Sequence, residues 1–333
     1  MKLLRRLLFV VVAVVAVWSA LWWGASLWVE RTFDEQVARL AAQGTRVTCG
    51  GRDVAGYPFA LRLRCAPATL DGGGADVALA GLASGMSLSA PRTLRAAPVG
   101  PAKARLASGD TVEARWSAMD VAVDDLFSDR ALEGTFDDLA VDAPFGALTV
   151  ETGSFRAAPT PPDGPVRDDL RLVTTQRGIA LAPDAARGLP GVDVPGFAAD
   201  IVLTGAYEAL ARRGERPRDF LRRGFAGRVE RLSLATGGDG LLLVSGPFSV
   251  DAQGRPSGRI TIGVRNAPAV AAFLEGLAGE EAGLVVTALE GLGQDRTIDG
   301  EKVRALKVTV ADGRIPVGFF SFDLPRLWAA QGS

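Results

Sequence analysis

No charged side chain occurs between Leu7 and Val29, a run of 23 residues, and Lys2, Arg5 and Arg6 stand just before it. As a helix the run is about 35 Å long, enough to cross the hydrocarbon core of a bilayer with some tilt. Nothing else in the chain narrows the possible folds as much, because this segment has to be accommodated before any other. Trp18, Trp22, Trp23 and Trp28 lie in its second half, where indole rings favour the level of the headgroups. The basic flank carries no acid, whereas the far flank mixes Glu30, Arg31, Asp34 and Glu35. Positive-inside bias therefore predicts a cytoplasmic N-terminus and an exported body.

A cleaved signal peptide would have a shorter apolar region and small residues at the cut. Trp18-Ser19-Ala20 and Trp23-Gly24-Ala25 both place an indole where a small side chain is needed. The expectation is an uncleaved anchor over residues 7–29, behind a cytoplasmic tail of residues 1–6. Phe33, Val37 and Leu40 recur at i, i+4 and i+7, and Gly44 supplies a stop, so the helix should continue over residues 30–44. The bland reading of that extension is a spacer that holds the body off the bilayer.

The chain contains no histidine. That removes Ser-His-Asp and Cys-His catalysis, every histidine-containing metal site, and the commonest general base near neutral pH. No P-loop, nucleophile elbow or dinucleotide fingerprint is present. A net charge of −1 gives no global field for nucleic acid. No catalytic residue, cofactor or metal is expected. The single Asp71-Gly-Gly-Gly-Ala-Asp76 segment reads as a glycine-rich turn.

Cys49 and Cys65 are the two cysteines. Phe59, Leu61, Leu63 and Cys65 share one face of a strand, with Arg62 and Arg64 opposite, and Val47 and Cys49 alternate likewise. Gly56-Tyr57-Pro58 breaks the chain before the second strand. Two neighbouring strands with one cysteine each, on the exported side, read as a disulfide. A redox or metal-binding thiol pair would call for Cys-x-x-Cys spacing, which is absent.

Most of the remaining chain reads as short strands broken by Gly, Pro and Asp. Val112, Ala114 and Trp116 share a face, and Met119, Val121 and Val123 resume the alternation after a slip that marks a bulge. Leu139, Val141, Leu148, Val150, Gly153 and Phe155 return as Leu232, Leu234, Leu241, Leu243, Gly246 and Phe248, an offset of 93 throughout (232 − 139 = 93). That is one hairpin unit used twice. The expected organisation is a first β-rich half over 45–160, a connector with a strand over 161–199, and a second β-rich half over 200–333. The Pro/Gly-rich residues 159–165 mark the boundary. Short helices are expected near 206–223 and 268–292, and Asp312-Gly313 between apolar alternations predicts a hairpin turn.

Two charged clusters are candidate sites. Arg212, Arg213, Arg216, Arg218, Arg222 and Arg223 could meet anionic lipid headgroups or lipopolysaccharide phosphates; the alternative is a solvated helix–loop surface. Asp124, Asp125, Asp129, Asp137, Asp138 and Asp142 could supply paired carboxylates for glycoside hydrolysis, although acids at strand ends are ordinarily turn formers.

The N-terminal span, Cys49…Gly56-Tyr57-Pro58-Phe59…Cys65, and the closing Asp312-Gly313-Arg314-Ile315…Gly318…Leu324-Pro325-Arg326-Leu327 together resemble the bacterial family called domain of unknown function 2125. That resemblance implies no known activity and carries over no catalytic residue. More remotely, repeated β-hairpins behind an N-terminal anchor look like AsmA-type envelope proteins. That likeness of architecture implies a role in lipid transport or outer-membrane maintenance.

The expectation is therefore a mainly β (α+β) protein. It has a transmembrane helix, an antiparallel exported body of two related hairpin-rich halves, and a few short helices. It is single-pass in the inner membrane with a periplasmic body, and non-enzymatic. Its expected partners are the membrane, and lipid or envelope proteins at an apolar sheet face. A scaffold with no lipid ligand is the alternative, and a carboxylate-based hydrolase is a more distant one.

Overall fold

The chain opens as one helix, α1 (Lys2–Ala42), in the computed structural model. The structure describes residues 2–42, 44–72, 75–87, 89–106, 109–124, 130–144, 146–160, 168–183, 191–278, 286, 289–317, 320–323 and 326. Apolar residues predominate through the first two-thirds of α1, and no proline interrupts it. It stops where Gly44 N–H donates to the Ala41 carbonyl and Thr45 N–H to that of Leu40, a closing turn of the glycine C-cap type. Residues Phe9–Ala42 are long and apolar enough to cross a membrane. Their side chains have little protein cover: Phe9 is 74 % exposed, and Val10 to Val15 are also mostly exposed. A single helix of this kind at the N-terminus is compatible with a single-pass anchor.

The contacts divide the chain into two units. Unit 1 is Met1–Phe127 with Ala140–Phe145, and unit 2 is Ser128–Leu139 with Gly146–Ser333. Unit 1 is built on β1 (Arg46–Cys49), β2 (Asp53–Ala55), β3 (Ala60–Cys65), β4 (Ala68–Gly72), β5 (Ala75–Ser87), β6 (Ala90–Leu106), β7 (Thr111–Arg115) and β8 (Ala118–Asp124). β3 and β4 run end to end along β5, from Ala60 opposite Ser87 to Gly72 opposite Ala75. On their other side β1 pairs with β4 and β2 with β3. β7 and β8 likewise share β6, one after the other. The slip between them is where Trp116 leaves the ladder and donates its indole N–H to the Pro98 carbonyl, 3.0 Å away.

Cys49 and Cys65 form the expected disulfide, with Cα atoms 5.1 Å apart. The two cysteine strands are not paired with each other, as the sequence had implied. The bridge instead ties the end of β1 to the point where the chain passes from β3 into β4, and Gly50 exchanges backbone hydrogen bonds with Ala66 and Pro67 there.

The strand β9 (Ala131–Ala143) begins in unit 2. Unit 2 continues with β10 (Gly146–Thr160), β11 (Asp169–Leu181), β12 (Val192–Leu203), β13 (Phe225–Thr236), β14 (Gly240–Val250), β15 (Pro256–Arg265), β16 (Gln294–Ile298) and β17 (Glu301–Val310). From β10 to β15 each strand pairs antiparallel with the next, β15 then pairs with β17, and β16 lines the other side of β17. The Asp312-Gly313 turn forms as predicted, with both residues at positive φ and Ala311 bridged to Arg314, the two-residue primed type that suits strand twist. β18 (Arg314–Val317) and β19 (Phe320–Asp323) form a separate two-stranded ribbon.

The short helices fall close to the expected places. A π-helical turn (Glu208–Arg212) and α2 (Pro217–Arg222) cap the sheet over Ala206, Ala209 and Phe220. Helix α3 (Ala267–Ala278) covers Val264, Ile262 and Leu306 through Val270. The opposite face of the same strands buries Leu241, Leu243, Val303 and Ala305 under Ile298. Of the second helix expected over 280–292, residues 279–285, 287 and 288 lie outside the described residues, and 289–292 are helical.

The boundary differs from the one expected at 159–165. Thr160 pairs with Asp169 at the end of an unbroken β10–β11 ladder, so the Pro/Gly-rich segment joins two strands of one hairpin; residues 161–167 lie outside the described residues. The division instead falls within β9 and at Gly146. The 93-residue offset accordingly relates β9–β10 to β13–β14, both of which lie largely in unit 2, and not one half of the molecule to the other. The repeated glycines also serve different neighbours. A Cβ on Gly153 would stand 2.1 Å from the Phe136 ring, and one on Gly246 would stand 2.2 Å from the Arg259 carbonyl oxygen.

Candidate membrane-proximal site

The residues 56–59 form a tight loop between β2 and β3. Ala60 N–H donates to the Gly56 carbonyl at 2.9 Å. Gly56 sits at φ +107, and a Cβ there would lie 2.7 Å from the Ala60 carbonyl oxygen, so only glycine fits. The Tyr57–Pro58 peptide is cis. This turn brings Tyr57 and Pro58 against the second half of the apolar run in α1, while Phe59 projects outward.

Three polar contacts fix the meeting. Trp18 Nε1–H donates to the Pro58 carbonyl at 3.1 Å, and Trp22 Nε1–H donates to the Ala60 carbonyl at 3.0 Å. Ser19 Oγ and Tyr57 OH lie 2.8 Å apart. The Trp22 and Tyr57 rings meet edge to face, with centroids 5.5 Å apart. About three turns beyond Trp22, Arg52 forms an ion pair with Asp34 and lies over the Phe33 ring. The hydrogen bond to Asp34 raises the Arg52 pKa above its ordinary value. The extension of α1 therefore does not stand the strands off, as a spacer would. The first strands of unit 1 are fastened along α1 from Trp18 to Asp34.

Beside these contacts lies a cleft of about 260 Å³, walled by Trp18, Leu21, Trp22 and Ala25 on the helix and by Pro58, Leu61, Met86 and Pro91 on the strands. Its lining is almost wholly apolar. In the same loop as Pro58, Phe59 is 69 % exposed and Tyr57 50 % exposed. β3 can come close to β5 here because position 85 is glycine: a Cβ would lie 2.1 Å from the Leu61 carbonyl oxygen. The sequence showed the tryptophans and the loop separately, but no periodicity pairs a helix residue with a loop 38 to 40 positions away.

The arginine cluster lies on the π turn and α2. Arg212 binds Asp168 and Glu208, Arg213 faces Glu208, Arg216 binds Asp219, and Arg223 binds Glu215 while lying over Phe220. Arg222 is also engaged, and Arg218 is exposed. Most of this positive charge is matched by carboxylates within the same cap. Among the acids, Asp124 accepts from Thr93 Oγ1 and Asp142 pairs with Arg115. Asp137 and Asp138 also have partners, and Asp125 and Asp129 lie outside the described residues. Asp251 closes the β14–β15 turn, where N–H donation from the Arg255 backbone holds its carboxyl below the usual value.

Comparison with the curated proteins and with the solved structures gives no match. The remoter likeness to AsmA-type proteins thus gains no support from a known structure. The sequence profile of one family does match, over residues 22–322, and this span takes in the Gly-Tyr-Pro-Phe loop, both cysteines and strands β1 to β18. The chain belongs to the bacterial family described as "Uncharacterized protein conserved in bacteria (DUF2125)".

Proposed function

We propose that this is a non-enzymatic, inner-membrane-anchored envelope protein whose periplasmic strands β1–β8 rest in the outer leaflet through the loop 56–59 and take up lipid in the cleft beside α1. The observation that carries the reading is the pair of indole hydrogen bonds from the apolar run to the Pro58 and Ala60 carbonyls. A hydrocarbon core about 30 Å thick, counted from Leu7 at about 1.5 Å per residue, ends near Ser26. The loop 56–59 sits beside Trp18 and Trp22, below that level, at the depth of the outer acyl chains. Exposed Phe59 and Tyr57 suit that zone, where an aromatic body with or without a polar tip is favoured. An apolar cleft that opens there is bathed in acyl chains, so the nearest molecule able to fill it is lipid.

The test is photocrosslinking from the cleft wall. With benzoylphenylalanine in place of Met86 and the full chain in its native membrane, mass spectrometry should find a phospholipid adduct. Adducts to another protein alone would favour a scaffold, and absence of any lipid adduct would sink the proposal.

A further inference from the structure

A second concavity lies wholly within unit 2, on one face of β13, β14, β15 and β17. It holds about 520 Å³ and is walled by Arg228, Ser245, Arg259, Thr261, Lys307 and Thr309. The register places these side chains together: Thr261 stands opposite both Ser245 and Lys307, and Arg259 stands opposite Thr309. The hollow arises from a bulge in β13 between Val229 and Leu232, since an extra residue increases local twist. Gly246, at φ +138, lets the β15 backbone approach where any Cβ would collide with the Arg259 carbonyl.

The chemistry of the lining is one-sided. Glu230 is its single acid, and it lies 3.7 Å from Arg228. Arg259 and Lys307 form no ion pair among the described residues, and the hydroxyls of Ser245, Thr261 and Thr309 have no hydrogen-bond partner there. Thr261 and Lys307 also wall an adjoining hollow that contains Arg296, another cation without an ion pair among the described residues. This differs from the Arg212–Arg223 cap, where carboxylates already pair with Arg212, Arg213, Arg216 and Arg223. An arginine fork, an ammonium and several free hydroxyls on one concave face match the acceptor oxygens of a phosphate group.

We propose that this groove binds a phosphate-bearing ligand, with Arg259 and Lys307 as its principal contacts. The ligand's phosphate could belong to a lipid headgroup or to a soluble phosphate ester. The inference does not rest on the cleft beside α1, because it uses no residue of unit 1.

The experiment titrates the full chain, held in phosphatidylcholine nanodiscs, with dihexanoyl phosphatidylglycerol and separately with inorganic pyrophosphate, followed by calorimetry. The parent should bind at least one probe saturably. R259S/K307S should weaken that binding about tenfold or more, as loss of charge-assisted contacts requires. R218S/R222S should leave it unchanged, and R259K/K307R should largely retain it, which separates loss of contacts from loss of fold. Saturation by the lipid alone assigns a headgroup, and saturation by both probes assigns the phosphate itself. No saturable binding to the parent, or undiminished binding to R259S/K307S, overturns the proposal.

Discussion

Trp18 and Trp22 each serve two partners. Their rings belong to the apolar surface of α1, while their N–H groups reach the carbonyls of Pro58 and Ala60. An indole N–H with no acceptor is costly in an apolar setting, and the proposed membrane placement makes the loop its acceptor. W18F/W22F keeps most of the ring area and removes both donors. Each lost bond should cost about 1 kcal/mol. The loop should then open, with faster amide hydrogen exchange at Phe59 and Ala60 and unchanged exchange in β14. Gly56 is a stricter case. G56A forces a Cβ to within 2.7 Å of a carbonyl oxygen at φ +107, with an expected loss of about 1–3 kcal/mol from backbone strain and displacement. A thermal melt that matches the parent would contradict this. Both residues were conspicuous in the sequence, but as an aromatic belt and a chain break. Their meeting depends on how β2 and β3 turn, which no local pattern encodes.

At the level of elements, β1 gains much of its fixation from the bond between Cys49 and Cys65. It has four residues and no buried side chain. The separation of 16 residues predicts a loss of about 3 kcal/mol for C49S/C65S in the chain-entropy model, seen as a lower urea midpoint for unit 1. The disulfide itself was legible, because alternation put each cysteine on an inward face. The pairing of β1 with β4 was not, because four residues of alternation fit any neighbour. The β14–β15 turn offers a pH-dependent counterpart. Asp251 accepts N–H bonds from Gln253 and Arg255, and its carboxyl lies below the usual value. A lowered carboxylate stabilises the fold above its unfolded-state value, and that stability is lost as pH falls through the folded-state value. D251A should therefore melt below the parent at neutral pH. The gap should narrow in acid as the parent's own carboxylate is protonated; a gap that is constant with pH would assign the effect to packing alone.

For the whole molecule, the β-rich class and the apolar N-terminal helix were both readable, since each rests on periodicity over many residues. The division into units was not. Residues 159–165 carry every compositional mark of a linker, yet the Thr160–Asp169 pairing makes them a hairpin connection; Pro and Gly mark turns and boundaries alike. The apolar cleft escaped for the same reason as the loop contact, because its walls are distant in sequence. The basic hollow of unit 2 was not legible because Arg228, Arg259 and Lys307 are far apart along the chain and become neighbours only through strand register. The clustered arginines of 212–223 are the more conspicuous in the sequence, although most of them are matched by carboxylates close at hand.

The central claim is that strands β1–β8 rest in the outer leaflet through the loop 56–59. Its most direct measurement places an environment-sensitive fluorescent amino acid at position 59 of the full chain, in vesicles of phosphatidylcholine brominated at a shallow acyl carbon. The account predicts strong quenching there and little for the same probe at Thr111, which is exposed on β7. Equal, weak quenching at both positions would place the loop in water and contradict it.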